Sequence, residues 1–120
     1  MALVPRAAGP FNYPTELMPG PSGNLYVTDG YRNARVHKFD AGGNLIKSWG
    51  EPGKEKPGHF HLPHSIAISP DETLYVADRS NQRIQIFDAD GNYKSMWTGM
   101  GGPNDIFRDK DNVFYIAEQK

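Results

Sequence analysis

The chain has no cysteine, which excludes disulfides, thiolate metal sites and cysteine nucleophiles. It has no apolar run near the roughly 18 residues that cross a bilayer as a helix. No stretch near Met1 combines the charged, apolar and cleavage regions of a signal peptide, and the sequence assigns no compartment. Charge of one sign is lacking too. The 13 basic and 14 acidic residues leave a net charge of -1, which argues against a nucleic-acid or anionic-membrane partner. Nor does any segment show the 3.6-residue apolar period of a helix.

Turn chemistry is abundant instead: 13 glycines and 10 prolines in 120 residues require frequent chain reversals. Residues 1–13 read as an N-terminal arm. MALVPRAAGP, from Met1 to Pro10, contains a Leu-Val-Pro-Arg core that is either a leftover protease site or a natural extension. The arm is expected to be poorly ordered and is set aside from the fold.

Three stretches then align over 16 residues without gaps: PTELMPGPSGNLYVTD from Pro14, PHSIAISPDETLYVAD from Pro63, and PNDIFRDKDNVFYIAE from Pro103. The first two continue in parallel, as RVHKFDAGGNLIKSW from Arg35 and RIQIFDADGNYKSMW from Arg83. Starts 49 and 40 residues apart indicate a propeller, solenoid or array. Each full copy holds four short strand candidates separated by turn residues. In the second copy these are Ser65–Ser69, Leu74–Asp78, Arg83–Asp88 and Tyr93–Trp97. Gly43 and Gly91 supply positive φ in equivalent hairpins. Asp29 and Asp78 end the second strand and can accept from backbone amides of the following turn. The Leu-Tyr-Val and Phe-Tyr-Ile runs suggest strands buried on both faces.

The expected fold is therefore all-β: β-propeller blades of four antiparallel strands, with about two and a half blades in this chain. Blade one spans 14–60, blade two 61–101 and a half blade 102–120. A closed propeller needs roughly 4 to 8 blades, so the expectation is either a fragment of a longer protein or a propeller completed by oligomerisation.

Gly-Asn-Leu-Tyr-Val-Thr-Asp followed by Asn33, Arg35, Val36, Phe39 and Gly43 resembles the NHL repeat, as does Leu-Tyr-Val-Ala-Asp followed by Asn81, Arg83, Ile84, Phe87 and Gly91. A narrower resemblance rests on four motifs in order: DGYRNARVHKF from Asp29, SWGEPG from Ser48, GHFHLPHSIAI from Gly58 and VADRSNQRIQIF from Val76. Together they are similar to the peptidyl-α-hydroxyglycine α-amidating lyases and their bacterial NHL relatives. That resemblance implies a six-bladed propeller that cleaves peptidyl-α-hydroxyglycine to a peptide amide and glyoxylate. It also implies zinc held by three Pro-His histidines on alternate blades, and a structural calcium in the channel.

Carried over residue by residue, His64 in Leu62-Pro63-His64-Ser65 matches the middle zinc ligand. Its other reading is a polar residue at a channel mouth. Thr15 and Asn104 hold the equivalent positions, and blades carrying two further ligands are absent. Tyr31 matches the catalytic tyrosine, or else is an exposed turn aromatic. The first copy has one more residue than the second between its aspartate and its strand arginine, which would turn Tyr31 toward the channel. Arg79 matches a substrate-binding arginine, or else is a turn residue in an ion pair. Ile66 matches a position that offers its backbone carbonyl to calcium. Arg32 stands at a disulfide position of the family. His59 and His61 read as solvated loop residues, and His37 as a side chain between blades or at the surface.

Three chains contributing two blades each would repeat His64 on every second blade, which is the alternation a three-histidine zinc site uses. The implied partners are further copies or missing blades, with a peptide substrate and neither nucleic acid nor membrane. Two other functions stand beside the lyase. One is a non-catalytic NHL module that binds proteins or assembles with itself. The other is a calcium-dependent lactonase or esterase, drawing on Glu16, Asn104 and Asp105 near the starts of inner strands.

Overall fold

The computed structural model of the protein describes residues 11–119. Most of the expected arm, residues 1–10, lies outside them. Blade one is a four-stranded antiparallel sheet in the order β1 (Glu16–Pro19), β2 (Leu25–Asp29), β3 (Arg35–Phe39), β4 (Leu45–Trp49). A short parallel bridge follows, β5 (Glu51–Pro52) with β6 (His59–Phe60). Blade two repeats the antiparallel sheet with β7 (Pro63–Ile68), β8 (Leu74–Asp78), β9 (Arg83–Phe87) and β10 (Tyr93–Trp97). A 3-10 turn, Arg79–Asn81, joins β8 to β9. The third unit is the pair β11 (Gly102–Arg108) and β12 (Phe114–Gln119).

The hairpins are closed by local chemistry. Asp40 Oδ1 accepts from the Gly42 and Asn44 N–H groups, both at 2.9 Å. Asp88 does the same for Asp90 and Asn92 at 2.9 Å. Asp109 does so for Asp111 and Val113, at 2.8 and 3.0 Å. Gly43 and Gly91 have φ of 87° and 84°, as their turn position requires. Gly91 also packs on Trp49, where an added Cβ would lie 2.8 Å from the indole.

The repeat begins earlier than the aligned prolines indicate. The acid ending the second strand of each unit accepts an N–H from the segment leading into that unit. Asn12 donates to Asp29 at 3.0 Å, His61 to Asp78 at 2.8 Å and Gly101 to Glu118 at 2.6 Å. Tyr13 and Leu62, the next residue in the first two units, share φ of 67° and 72°. Residues 11–13, assigned to the arm on sequence, are thus docked: Phe11 packs edge-on against His37 with centroids 5.3 Å apart. Asp29 and Asp78 also bind side chains of the following turn, Asn33 at 2.7 Å and Asn81 at 2.9 Å.

His37, expected between blades or at the surface, is fully buried, so the surface reading does not hold. It sits on β3 and bridges the two neighbouring strands, with Nε2 2.9 Å from Asp29 Oδ2 on β2 and Nδ1 2.7 Å from Ser48 Oγ on β4. Burial alone would push the Asp29 carboxyl up. Hydrogen bonds from His37, Asn33 and the Asn12 N–H outweigh it and hold the group below the usual carboxylate range. In blade two, Arg83 takes this work, donating from Nε to Asp78 Oδ2 at 2.9 Å, and Gln85 adds a bond at 3.2 Å.

Blades stack face to face. Tyr26, Val36, Phe60, Ile66, Leu74, Val76 and Phe87 form the seam between blades one and two. Ala67, Ala77, Ile84, Ile86 and Ile106 form the seam with the third unit. Burying each large apolar side chain stabilises by about 1.5–3 kcal/mol. A polar clip spans the first seam: Tyr26 Oη donates to Glu72 at 2.6 Å, and the Ser22 N–H and hydroxyl reach the same carboxylate. Burial, and then Glu72, push the Tyr26 phenol up.

The expectation of strands buried on both faces holds for β2 and β8, but not for β12. There Phe114 and Ile116 face inward while Tyr115 and Ala117 are exposed, because no blade covers that face among the described residues.

Candidate functional site

The innermost strands β1, β7 and β11 line one edge of the stack. Both later inner strands carry a bulge at the same repeat position. In β7 the register passes from Pro63↔Asp78 to Ser65↔Ala77, leaving His64 unpaired. In β11 it passes from Pro103↔Glu118 to Asp105↔Ala117, leaving Asn104 unpaired. A bulge releases one residue from the ladder and re-aims it. His64 accordingly points into an open cleft of about 500 Å³, lined by Thr15, Glu16, His64, Asn104 and Asp105.

Tyr31 reaches His64 from the β2–β3 turn of blade one. Its Oη lies 3.1 Å from His64 Nε2, and the rings meet edge-on at 5.7 Å. Gly30 makes this approach possible: a Cβ there would sit 2.1 Å from the Pro63 carbonyl oxygen. His64 Nδ1 is 2.7 Å from the Asn104 carbonyl oxygen. A carbonyl only accepts, so Nδ1 carries the proton and Nε2 accepts from the Tyr31 hydroxyl. Thr15 Oγ1 bonds to the Pro63 carbonyl at 2.9 Å, so the equivalent residue of blade one also leans on the next unit.

Glu16, Ser65 and Asp105 are equivalent repeat positions and meet at the seams. Ser65 Oγ lies 2.6 Å from Glu16 Oε1 and 2.9 Å from Asp105 Oδ1. Glu16 Oε1 also accepts the Ile66 N–H at 2.9 Å, and Ser65 Oγ accepts the Ile106 N–H at 3.2 Å. The bond to Glu16 shows that the Ile66 N–H points away from β8. A strand residue projects N–H and C=O from the same edge, so the Ile66 carbonyl also faces the open edge of β7. The trio Glu16, Asn104 and Asp105 does share the cleft, with one oxygen of each carboxylate used to stitch units together.

Arg79 stands apart from the Tyr31–His64 pair. Its Nε donates to Gln119 Oε1 at 2.9 Å, a bond supplemented from Nη2, and among the described residues no hydrogen bond joins it to Tyr31 or His64. His59 and His61 do not converge with His64. His59 Nδ1 is 4.0 Å from Glu55, and both residues serve the fold through backbone groups. Arg32 lies over the Tyr13 ring at 4.8 Å. No three His, Cys, Asp or Glu side chains are grouped to hold a metal among the described residues. The His64 imidazole thus has its Nε2 facing the Tyr31 hydroxyl and its Nδ1–H held by a carbonyl. That is how a metal-ligating histidine is oriented.

Sequence reasoning named Tyr31 and His64, which the structure brings into contact, and did not name Ser65 or the Asn104 carbonyl as site groups. The repeat alignment does place Ser65 opposite Glu16 and Asp105, which is the one signal that could have exposed the seam.

Comparison with known proteins agrees with this architecture. Residues 60–87 match the NHL repeat family. The chain is 44% identical over 89 residues to peptidyl-glycine alpha-amidating monooxygenase A of Xenopus laevis, covering 69% of this chain and 10% of that protein. It is 37% identical over 112 residues to a probable peptidyl-alpha-hydroxyglycine alpha-amidating lyase of Caenorhabditis elegans, covering 92% of this chain and 32% of the other. The chain therefore spans between a tenth and a third of the length of these relatives. Among solved structures, Kuenenia stuttgartiensis hydrazine synthase superposes with a TM-score of 0.74 at 17% identity, over 90% of this chain and 30% of that one. At that identity the likeness concerns the fold. The chain is a stretch of NHL-repeat β-propeller, homologous to the lyase domain of the amidating enzymes.

Proposed function

We propose that the chain forms part of a lyase-type channel that cleaves peptidyl-α-hydroxyglycine to a peptide amide and glyoxylate. The observation that supports this most is the meeting of Tyr31 and His64 from two blades, at 3.1 Å. In the reaction the substrate hydroxyl loses its proton, the carbon–nitrogen bond breaks, and the amide nitrogen takes up a proton. Tyr31 is the base for the hydroxyl. An unperturbed phenol has a pKa near 10, so cationic charge must face it in the working site. Zinc, when bound, would supply that charge; His64 would be one of its ligands, its Nε2 lone pair turning from the Tyr31 hydroxyl to the metal. Arg79 holds the substrate carboxylate once it leaves Gln119. The Ile66 carbonyl is available to calcium. Partner blades, from further copies or from more of the same polypeptide, contribute the remaining ligands.

The test is glyoxylate release from a synthetic peptidyl-α-hydroxyglycine, with zinc and calcium supplied. An assembly with a complete channel is expected to release it, with at least 100-fold loss in Tyr31→Phe and in His64→Ala, on the order of what removing a general base costs. Release that survives both substitutions contradicts the reading.

A second reading is a non-catalytic NHL module that binds proteins or associates with itself. The exposed apolar side chains at the two ends of the stack favour it: Leu17 on one, Phe107 and Tyr115 on the other. Assembly without zinc or glyoxylate release would decide for this reading.

A further inference from the structure

We infer that Asn104 is a positioning residue of the channel: its bulge-lifted backbone carbonyl fixes the His64 tautomer and thereby presents the Nε2 lone pair to the Tyr31 hydroxyl. Its functional weight rests on the lyase reading, while the geometry stands by itself. The Asn104 carbonyl is free for this work because Asn104 falls between Pro103↔Glu118 and Asp105↔Ala117 and has no ladder partner. His64 is free to receive it because the same register step occurs in β7. The two bulges meet across the seam at 2.7 Å, a short bond for a ring N–H on a carbonyl.

The first seam lacks this device. Thr15, the equivalent of His64 one unit earlier, reaches the carbonyl of Pro63, a residue still paired in its ladder, at 2.9 Å, and also meets the Thr28 hydroxyl at 2.8 Å. In blade two the side chain is an imidazole and its acceptor is the bulge residue itself. An imidazole held at Nδ1 has its second nitrogen deprotonated and pointed opposite, where Tyr31 Oη meets it. The third unit therefore completes the site without placing any side chain of its own on His64. Asp105, the next residue, keeps the bulge in register by accepting the Ile106 N–H and meeting Ser65.

The test is the 15N spectrum of the His64 ring in the intact chain, without metal or substrate, at a pH where the imidazole is neutral. The expected result is a ring protonated at Nδ1 and bare at Nε2, the minority form of free histidine. Asn104→Ala keeps the carbonyl and should keep this spectrum. Deleting Asn104 removes the bulge and should shift the ring to the Nε2–H form. A wild-type ring protonated at Nε2 overturns the inference without reference to either variant. So does a changed spectrum in Asn104→Ala with the fold intact. Because no turnover is read, a failed lyase assay leaves this result standing, and a failed spectrum leaves the lyase reading to its own assay.

Discussion

Asp29 shows how one residue couples fold and pH. Its carboxyl is fully buried and held below the ordinary carboxylate range by His37, Asn33 and the Asn12 N–H. A group whose folded pKa is depressed contributes stability above its unfolded pKa, near 3.9, and loses that contribution as pH falls through the folded value. The chain should therefore lose stability on acidification below about pH 4, and Asp29→Asn should flatten that slope in urea melts. Removing the acid from its buried partners should cost about 2–4 kcal/mol at neutral pH. Tyr31→Phe is the contrasting case. Tyr31 is 56% exposed, so unfolding free energy should stay within about 0.5 kcal/mol while catalysis is lost. That Asp29 serves the fold was legible in sequence, but its backbone donor is the Asn12 N–H of the lead-in rather than an amide of the following turn, which supplies the Asn33 side chain instead. The burial of His37 was not legible, since strand alternation does not say which face a neighbouring lead-in will cover.

Among the elements, the bulges of β7 and β11 and the tight β2–β3 turn position the site. Gly30→Ala tests that turn. Its Cβ would lie 2.1 Å from the Pro63 carbonyl, so blade one must move away from blade two. Differential scanning calorimetry should show a loss of about 2 kcal/mol or more, and the Tyr31–His64 contact should open. The ten blade strands, their order and their hairpin chemistry were readable from the repeats because turn residues and β-rich runs alternate so regularly, while the short parallel pair β5–β6 was not. The bulges were not readable either, because nothing at Pro63-His64-Ser65 distinguishes a paired residue from a released one. Tyr31 was named through the resemblance of Asp29-Gly30-Tyr31 to the lyase motif, and the extra residue between Asp29 and Arg35 gave only a reason for its turn to project.

At the scale of the molecule, the same blade seam occurs twice among the described residues, and no described residue covers the outer face at either end. Ile66 and Ile106 are buried in the two seams at 0% and 4%, while Leu17, their equivalent in blade one, is 56% exposed. Phe107, equivalent to Met18 and Ala67, is 62% exposed at the other end. Leu17→Asp or Phe107→Asp should weaken any head-to-tail association seen by light scattering. Stacking two copies that way brings Asp105 beside Glu16, where the interior seams pair an acid with Ser65. Glu16→Gln, which keeps the acceptor for the Ile66 N–H, should therefore strengthen association.

Native mass spectrometry of the protein with zinc supplied, wild type beside His64→Ala, tests the central claim that the cleft is part of a metal-holding channel shared between blades. The expected wild-type result is an assembly of more than one chain with fewer zinc ions than chains, while His64→Ala assembles equally and holds none. Zinc retained by His64→Ala, or wild-type assemblies that hold no zinc at all, would contradict it.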